Sequence, residues 1–503
     1  MVRPVVGRFG RVVLWLGAVL LGSGLATSFA SGSSAASPIG ADTGGTSTGS
    51  AVLPHGQIGH QGRWLVDASG RVLLFHGINM VEKAVPYYPS AAGFSDGDAA
   101  WLADNGIRVV RVGVLATGLM PTPGVVDERY ISHIVSTVDD LSRHGIYALI
   151  DFHQDGYGPT VGSDGFPASM TVTGSAVNNH VGFPLYYIED PATQQAFQSF
   201  WDNANGSDGT PLQTDYVAMF HALAERFAHN SDVLGYDLFN EPWPGNVWQP
   251  CIFEPTGCPS LETSELDPLY AKAVLGIRSA GDSHLIFGEP FVLFNYGMST
   301  TSMALPGGDA ASGMSFHMYT VAPAQEPDVI ANAIRWSNST GGALLNTEWG
   351  ATTTSNDIER QADELDTALV PWIFWSMGEV VNNLTLPPSG SNLTASTVDA
   401  LVQPYPLAVA GTPQALAYSP GTQALSFRWS TTRPGGGTYP PRTKTVLLVP
   451  DTVYPHGYHT TVSGGTVTSP PCAPMITVVN SPDRRSVAIR VFPGGRCSTP
   501  SPR

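Results

Sequence analysis

Short apolar runs alternate with longer segments of helical periodicity from about residue 51 to residue 410. The apolar runs are the predicted strands, at 72–77, 107–114, 147–152, 233–239, 284–288, 313–317, 343–347 and 372–375. The predicted helices lie between them, at 95–105, 128–144, 193–203, 215–228, 266–280, 328–337 and 356–367. The strand runs are continuously apolar, as expected for a parallel sheet covered on both faces. Eight such runs predict an α/β fold, a (β/α)8 TIM barrel whose active site lies at the carboxyl ends of the strands.

The pattern changes after about Gly411, where helical periodicity disappears. Five short runs rich in β-branched residues follow, at 424–430, 444–449, 460–467, 475–480 and 486–491, with turn signals between them. They predict a small β-sandwich. The expected domains are therefore a catalytic barrel over residues 51–411 and a C-terminal β-sandwich over residues 412–503.

The N-terminus has the pattern of an export signal. Arg3, Arg8 and Arg11 precede an apolar stretch at 12–25, which is short for a membrane span. The small residues that follow suit cleavage after Ala30. Residues 1–30 are thus a predicted signal peptide, and residues 31–50 a Ser/Gly/Thr-rich linker. The prediction is a secreted, extracellular protein, with an uncleaved membrane anchor as the alternative.

Composition and cysteine spacing agree with an oxidising destination. Only 13% of the residues are charged, and the net charge is −17, which makes nucleic acid an unsuitable partner. Four cysteines allow three pairings. We favour Cys251 with Cys258 and Cys472 with Cys497, because each pair then lies within one predicted domain. A metal site is the weaker alternative, since no Cys-x-x-Cys or His-x-x-x-His spacing accompanies these cysteines.

Two glutamates each follow a predicted strand. Glu241 lies in Asn240-Glu241-Pro242 after the run 233–239, and Glu348 follows the run 343–347. Glycoside hydrolysis requires one carboxyl group that holds a proton for the leaving oxygen and one that is ionised. We assign Glu241 as the general acid/base and Glu348 as the nucleophile. The alternative for each is a structural residue at a strand-to-loop corner.

Other polar residues at the predicted strand ends could position the sugar or the glutamates. Arg111 ends the second strand and could keep Glu348 ionised through a charge-assisted bond, or form a structural ion pair. His153 and Asp155 follow the third strand as candidate sugar-binding or supporting residues, with a structural hydrogen-bonding role as the alternative for His153. Asn240 could hydrogen-bond the 2-hydroxyl group of the sugar.

Three more candidates follow later strands. His317 and Tyr319 end the sixth strand, where the tyrosine could orient the nucleophile. Trp375 ends the eighth strand and offers a flat apolar face for a sugar ring, or caps the barrel core. Glu289, in Phe-Gly-Glu-Pro, is similar to the Asn-Glu-Pro motif but lacks its Asn, so we keep it only as a candidate binding residue.

In their order along the chain, these residues resemble glycoside hydrolase family 5 over about residues 60–410. The resemblance implies a retaining mechanism, with the acid/base after strand four and the nucleophile after strand seven. The segments Lys83-Ala-Val-Pro-Tyr-Tyr-Pro, Asp-Phe-His-Gln-Asp and Gly-Tyr-Asp-Leu-Phe-Asn-Glu-Pro-Trp-Pro-Gly are similar to those of endoglycoceramidases, which cleave the β-linkage between an oligosaccharide and ceramide. By that likeness, Lys83, Asp155 and Asn240 would bind the sugars.

The expected substrate is therefore a glycosphingolipid, and transient contact with a membrane or micelle surface is expected with it. The predicted loops contain many large apolar residues, which either pack in the core or line a mouth for a lipid tail: Met80, Tyr87, Tyr88, Trp243, Trp248, Phe291, Phe294 and Tyr296. The alternatives are an endo-β-glucanase, a steryl or other lipid β-glucosidase, and a non-catalytic glycolipid-binding protein on a decayed barrel. Proton transfer and covalent catalysis by two carboxyl groups imply no cofactor, and we expect a monomer.

Overall fold

The computed structural model describes residues 52–252, 257–298, 300–320 and 322–494. The predicted signal peptide (residues 1–30), the predicted linker (residues 31–50) and Cys497 lie outside these residues. The strands in chain order are β1 (Gly59–Gln61), β2 (Trp64–Val66), β3 (Val72–Leu73), β4 (His76–Met80), β5 (Val109–Leu115), β6 (Tyr147–His153), β7 (Val233–Asp237), β8 (Leu285–Gly288), β9 (Ser312–Met318), β10 (Ala343–Trp349), β11 (Trp372–Phe374), β12 (Tyr405–Val409), β13 (Thr412–Ser419), β14 (Ala424–Ser430), β15 (Lys444–Leu448), β16 (Tyr458–Ser463), β17 (Gly465–Val467), β18 (Met475–Asn480) and β19 (Ser486–Pro493). The longer helices are α1 (Asp96–Asp104), α2 (Glu128–Arg143), α3 (Pro191–Trp201), α4 (Leu212–Phe227), α5 (Asp267–Ser279), α6 (Glu326–Thr340), α7 (Ser355–Thr367) and α8 (Ala395–Leu401).

Strands β4 to β11 close into a barrel in the order β10-β11-β4-β5-β6-β7-β8-β9. Every neighbouring pair is parallel, and the helices follow the strands on the outside. The predicted TIM barrel is confirmed. One strand was predicted with the wrong extent: the run 72–77 covers two elements, because Val72–Leu73 pairs antiparallel with β12 and the barrel strand begins at His76. Hydrophobicity alone does not separate two buried strands that follow one another directly.

Alternation along the barrel strands separates an apolar lower layer from a charged upper layer. In β5 Val109 belongs to the core and Arg111 lies two residues further on, while in β6 Leu149 precedes Asp151 and His153 with the same spacing. Side chains two residues apart point to the same face of a strand. The carboxyl end of the barrel therefore collects polar groups above an apolar floor.

Two antiparallel sheets form a β-sandwich with its own core, as predicted. One sheet has the order β1-β2-β3-β12-β15-β18-β17, and the other β13-β14-β19-β16. The first sheet takes strands from both sides of the barrel segment, since β12 pairs with both β3 and β15. The predicted domain boundary at residue 412 therefore assigns β1, β2, β3 and β12 to the barrel, although these strands belong to a sheet of the sandwich.

The sandwich packs against the amino-terminal end of the barrel. Apolar side chains of β12 and β15 share one core cluster with the lower layer of the barrel. The ring of His76 stacks on Tyr405 at 3.7 Å and on Trp372 at 4.0 Å between centroids. The Tyr405 hydroxyl donates a hydrogen bond of 2.7 Å to the Gly106 carbonyl oxygen. The sandwich thus closes the end of the barrel opposite the polar layer.

We expect Tyr405→Phe to lower the free energy of unfolding by about 1–2 kcal/mol, because the buried Gly106 carbonyl loses its partner. The matched control is Tyr439→Phe, whose hydroxyl donates to the Gly70 carbonyl at 2.7 Å in a half-buried place where water can substitute. Urea unfolding of both variants measures the difference. An equal loss in the two would show that the contact between sandwich and barrel contributes no more than a surface bond.

Two further features concern the loops and the membrane. Cys251 and Cys258 form a disulfide, as predicted, whereas the partner predicted for Cys472 is outside the described residues. Among the residues that the structure describes, no helix combines the length and the apolar character needed to cross a membrane.

Candidate active site

A pocket lies at the carboxyl ends of the barrel strands. Seven of the predicted site residues line it: Lys83, His153, Asp155, Glu241, Tyr319, Glu348 and Trp375. Three others, Arg111, Asn240 and His317, lie directly behind these side chains and are buried. The closed barrel therefore assembles in one place residues that are far apart in the sequence.

Glu348 ends strand β10 and is held by three groups. Arg111 Nη1 donates to its Oε1 at 2.5 Å, and the Tyr319 hydroxyl donates to its Oε2 at 3.0 Å. His317 Nδ1 lies 3.5 Å from the same Oε2. Burial raises the pKa of Glu348, while the charges of His317 and Arg111 oppose that rise. The carboxyl group is thus oriented and surrounded by groups that favour its ionised form.

Glu241 follows strand β7 and faces Glu348. His317 Nδ1 lies 2.9 Å from its Oε1, and one carboxylate oxygen of Glu241 lies within 4.8 Å of one of Glu348. Its backbone is in the left-handed region, with φ 45°, which is unusual for a residue other than glycine. Gln154 Nε2 stabilises this corner by donating to the carbonyl oxygens of Asn240 at 2.7 Å and Glu241 at 3.3 Å.

Arg111 is the centre of a buried network that the sequence only partly predicted. Its Nε lies 2.9 Å from Asp237 Oδ2, and its Nη2 lies 2.8 Å from Asp151 Oδ1. The same Nη2 donates to Asn240 Oδ1 at 2.9 Å. Asp151 and Asp237 were not chosen as site residues from the sequence. The signal for both was a charged residue inside an apolar strand run, since such a group is buried only when it is paired.

Asn240 is held by two protein groups behind the pocket. Its Oδ1 accepts from Arg111, and its Nδ2 donates to the Gln154 carbonyl oxygen at 3.0 Å. The side chain is buried and is not among the groups that line the pocket. One N–H of the amide has no partner in these bonds, and this is the only part of the side chain with a hydrogen left for a sugar hydroxyl.

Lys83 lies among carboxylates at one side of the pocket. Its ammonium group donates to Asp155 Oδ2 and lies 3.7 Å from Asp164 Oδ2, a residue that the sequence did not single out. Burial alone would lower the pKa of Lys83, but Asp155 and Asp164 raise it. Burial would raise the pKa of Asp155, but Lys83 and His153 together lower it below its usual range. The lysine therefore supplies a positive charge within this cluster of acidic groups.

Trp375 forms the wall next to this cluster. Its ring stacks on the imidazole of His153 with 5.5 Å between centroids, and Lys83 Nζ lies 5.0 Å from its centre. The peptide bond between Trp375 and Ser376 is cis. Trp375 lines the pocket and is not part of the buried barrel core, so it is not the core cap that was the alternative considered from the sequence.

The apolar loop residues mostly pack inside the protein. Met80, Trp243, Phe291 and Phe294 are buried, and Tyr87, Tyr88 and Trp248 pack against the same core. Tyr296 is the member of that group that lines the pocket. Of the two alternatives that the sequence left open, core packing holds for the four buried residues.

His153 lies between Asp151 of the Arg111 network and Asp155 of the Lys83 cluster, and its protonation makes the stability of the fold depend on pH. Burial alone would lower its pKa, but Asp151, 2.8 Å from its Nδ1, raises the pKa to about 9. A folded-state pKa above the usual 6.5 means that the charged imidazole stabilises the fold below pH 6.5, and that this contribution disappears as the pH rises through about 9.

We expect the difference in unfolding free energy between the wild type and His153→Gln to be on the order of 3 kcal/mol larger at pH 6 than at pH 10. Urea unfolding of both proteins across this range measures it. His144→Gln is the control, because its imidazole lies on the surface beside Asp96. A difference that stays constant between pH 6 and pH 10 would contradict the assignment of a charged His153.

A closed parallel barrel with two facing carboxyl groups, one after its fourth strand and one at its seventh, defines a glycosidase-type site. The model of the family described as Cellulase (glycosyl hydrolase family 5) matches residues 66–380, and that of the glycoside hydrolase family 5 C-terminal domain matches residues 403–491. The chain belongs to glycoside hydrolase family 5 and is a glycoside hydrolase.

Several proteins similar to this chain are endoglycoceramidases. Endoglycoceramidase I of Rhodococcus hoagii (strain 103S) is 31% identical over 445 residues, which cover 83% of this chain and 85% of the relative. An endoglycoceramidase of Hydra vulgaris is 28% identical, over 78% of this chain and 80% of the relative. The solved structure of endo-glycoceramidase II from Rhodococcus sp. as a lactosyl-enzyme intermediate has a TM-score of 0.70 and 25% identity, covering 86% of this chain and all of that one.

Proposed function

We propose that this protein is a secreted retaining β-glycosidase that hydrolyses the bond between the glycan and the ceramide of glycosphingolipids. The observation that carries the mechanism is the short distance between the two carboxyl groups, since oxygens of Glu241 and Glu348 lie within 4.8 Å of each other. Retaining glycosidases have their carboxyl groups about 5–5.5 Å apart, and inverting enzymes about 6.5–9.5 Å, which leaves room for a water molecule.

The two glutamates have surroundings that suit different tasks. Glu348, with Arg111 and Tyr319 on its two oxygens, attacks the anomeric carbon and forms a glycosyl-enzyme ester, while the glycosidic C–O bond breaks. Glu241 gives its proton to the departing ceramide oxygen. In the second step Glu241 takes a proton from water, which cleaves the ester and restores Glu348. No cofactor enters these two steps.

The polar side of the pocket suits the sugars. Lys83, Asp155 and Asp164 offer charged hydrogen-bonding groups next to the indole face of Trp375, a combination that suits hydroxyl groups and the apolar face of a pyranose ring. These groups line the same pocket as the nucleophile, and the charge of Glu348 contributes to the raised pKa of Lys83. The glycan would therefore be bound by at least one residue beyond the two glutamates.

The surface around the pocket suits an amphiphilic substrate. Large apolar side chains are exposed mainly in the loops that follow the barrel strands, on the face that carries the pocket: Val85, Val125, Val177, Phe183, Val247 and Leu386. Val85 is 78% exposed, and Phe183 lines the pocket with 40% of its surface exposed. We infer transient contact of this face with a membrane or micelle, where the ceramide resides. Together with the relatives, this favours a glycolipid over a soluble polysaccharide.

The test is incubation of the purified mature protein with a panel of glycosphingolipids in mild detergent, with mass spectrometry of the products. Release of intact oligosaccharide and free ceramide is the expected result. Release of single terminal sugars, or activity restricted to glucans or steryl glucosides tested alongside, would agree with a glycosidase but reject cleavage between glycan and ceramide. Binding without any product would reject the enzyme. The N-terminus of protein recovered from the culture medium tests secretion and cleavage after Ala30.

A further inference from the structure

Glu289 is a buried carboxyl group next to the active site that touches no substrate-accessible surface. It follows strand β8, is 0% exposed and is not among the groups that line the pocket. The sequence suggested at most a binding residue, and the structure contradicts that suggestion because the side chain points behind the two catalytic candidates. A buried carboxyl group needs partners, and its partners show what it does.

The carboxyl group of Glu289 contacts the acid/base residue in two ways. Its Oε1 lies 2.9 Å from His317 Nε2, and the other nitrogen of that ring, Nδ1, lies 2.9 Å from Glu241 Oε1. Its Oε2 accepts the backbone N–H of Glu241 at 3.2 Å. One carboxyl group thus fixes both the main chain of Glu241 and the imidazole that bonds the Glu241 side chain.

We propose that Glu289 is a positioning residue of the acid/base, which acts through His317 by keeping a proton on both ring nitrogens so that Nδ1–H is directed at Glu241. The proposal rests on the proposed glycosidase function for its kinetic test, but not for its spectroscopic one. With both nitrogens protonated, His317 Nδ1–H donates to Glu241, and the positive ring lies at ion-pair distance, 2.9 Å, from Glu289 Oε1.

The charges around Glu289 agree with a shared proton. Burial raises the pKa of Glu289 and the charge of Asp237 adds to that rise, whereas His317 and Arg111 lower the pKa and favour the ionised carboxylate. Arg111 Nη2 lies 3.5 Å from Oε1, and the Tyr270 hydroxyl donates to the backbone oxygen of Glu289 at 2.8 Å. Burial alone would lower the pKa of His317, but Glu289 and Glu348 raise it well above its ordinary value. The carboxyl group of Glu289 therefore favours the charged form of the His317 imidazole.

The pair of Glu289 and His317 would keep the same protonation state during the reaction, while Glu241 loses and regains its proton. Glu241 releases a proton to the leaving oxygen and later takes one from water, and in both forms its Oε1 accepts from Nδ1–H of His317. Without the negative charge of Glu289, the buried imidazole would lose its second proton at lower pH. Either ring nitrogen could then keep the remaining proton, and the Nδ1 lone pair could face Glu241.

The direct test is the titration of His317 by 15N NMR on the full mature protein, with the resonances assigned by His317→Asn. We expect Glu289→Gln to lower the pH at which His317 becomes neutral by at least about one unit, since removal of a nearby carboxylate lowers a histidine pKa. Identical titration of His317 in both proteins would overturn the proposal, whatever the substrate of the enzyme is.

The kinetic test uses the substrate that the panel identifies. We expect Glu289→Gln to lower kcat about 10- to 100-fold with little change in KM, and to move the alkaline limb of the pH profile to lower pH. Because Glu289 acts through His317, the double variant Glu289→Gln/His317→Asn should be no slower than His317→Asn alone. Additive losses, or a uniform decrease at every pH, would show a role in folding only.

Asp282→Asn is the matched control. Asp282 is also buried and bonds an imidazole, with 2.7 Å from its Oδ1 to His284 Nδ1, but it lies just before strand β8, at the opposite end from Glu289. This variant should lose stability without a change in the pH profile or the titration of His317. A change in either of them would mean that loss of any buried carboxylate disturbs the site, and would overturn the specific role of Glu289.

Discussion

Glu348→Gln is expected to reduce kcat by about 10⁴-fold or more, with the fold intact. The amide has no negative charge to attack the anomeric carbon, and it keeps nearly the same shape between Arg111 and Tyr319. Steady-state kinetics on the responding glycosphingolipid measures the loss, and circular dichroism checks the fold. Glu189→Gln is the control, since Glu189 is an exposed acid at the end of a short helix between β6 and α3.

The companion variant Glu241→Gln distinguishes the two roles. Loss of a general acid costs about 10²–10⁴-fold on a glycolipid, whose leaving oxygen needs a proton. An aryl glycoside with an acidic phenol needs none, so its first step should be far less affected in Glu241→Gln than in Glu348→Gln. A 2-deoxy-2-fluoro glycoside should leave a covalent adduct on the peptide that contains Glu348. An adduct elsewhere, or more than about one hundredth of the activity in Glu348→Gln, would reject the assignment of the nucleophile.

Arg111→Met is expected to cost stability and activity together. The guanidinium group is fully buried and lies within 3 Å of carboxylate oxygens of Asp151, Asp237 and Glu348. Its removal leaves these carboxylates uncompensated, and breaking a buried charge pair from one side costs about 3–5 kcal/mol. Urea unfolding measures that loss. Arg143→Met is the control, because its pair with Asp96 is on the surface and contributes at most about 1 kcal/mol.

The pH dependence of Arg111→Met should shift in a defined direction. Burial raises the pKa of Glu348, and Arg111 is one of the charges that oppose the rise. Without Arg111 the pKa of Glu348 rises further, so a larger share of the nucleophile is protonated and inactive at a given pH. The acidic limb of the profile of kcat/KM should therefore move to higher pH. If the acidic limb does not move while activity falls, Arg111 contributes to the stability of the fold and not to the ionisation of Glu348.

The chemistry of this protein depends on contacts between residues that are far apart in the chain. Arg111 and Glu348 are separated by 237 positions and lie 2.5 Å apart. The carboxyl ends of parallel strands meet at one end of a closed barrel, so this proximity follows once the barrel is recognised. That reasoning predicted which residues share the site, but it did not predict which atoms bond.

Asp237 shows where the sequence was insufficient. It lies inside the apolar run 233–239, and its acidic side chain there required a buried partner. The partners are Arg111 and Ser315, the latter donating to Oδ1 at 2.6 Å, and they come from two other strands. Alternation within a strand gives the face on which a side chain lies, whereas the partner across the barrel depends on closure and register.

The sequence by itself determined the barrel, the sandwich and the two glutamates, because hydrophobic period and position at a strand end are local properties of the chain. Only the tertiary structure decided that the N-terminal strands join the sandwich, that Asn240 is bonded to Arg111, and that Glu289 lies behind Glu241. These outcomes depend on which long-range pairs satisfy buried polar groups, and burial and pairing are properties of the folded molecule as a whole.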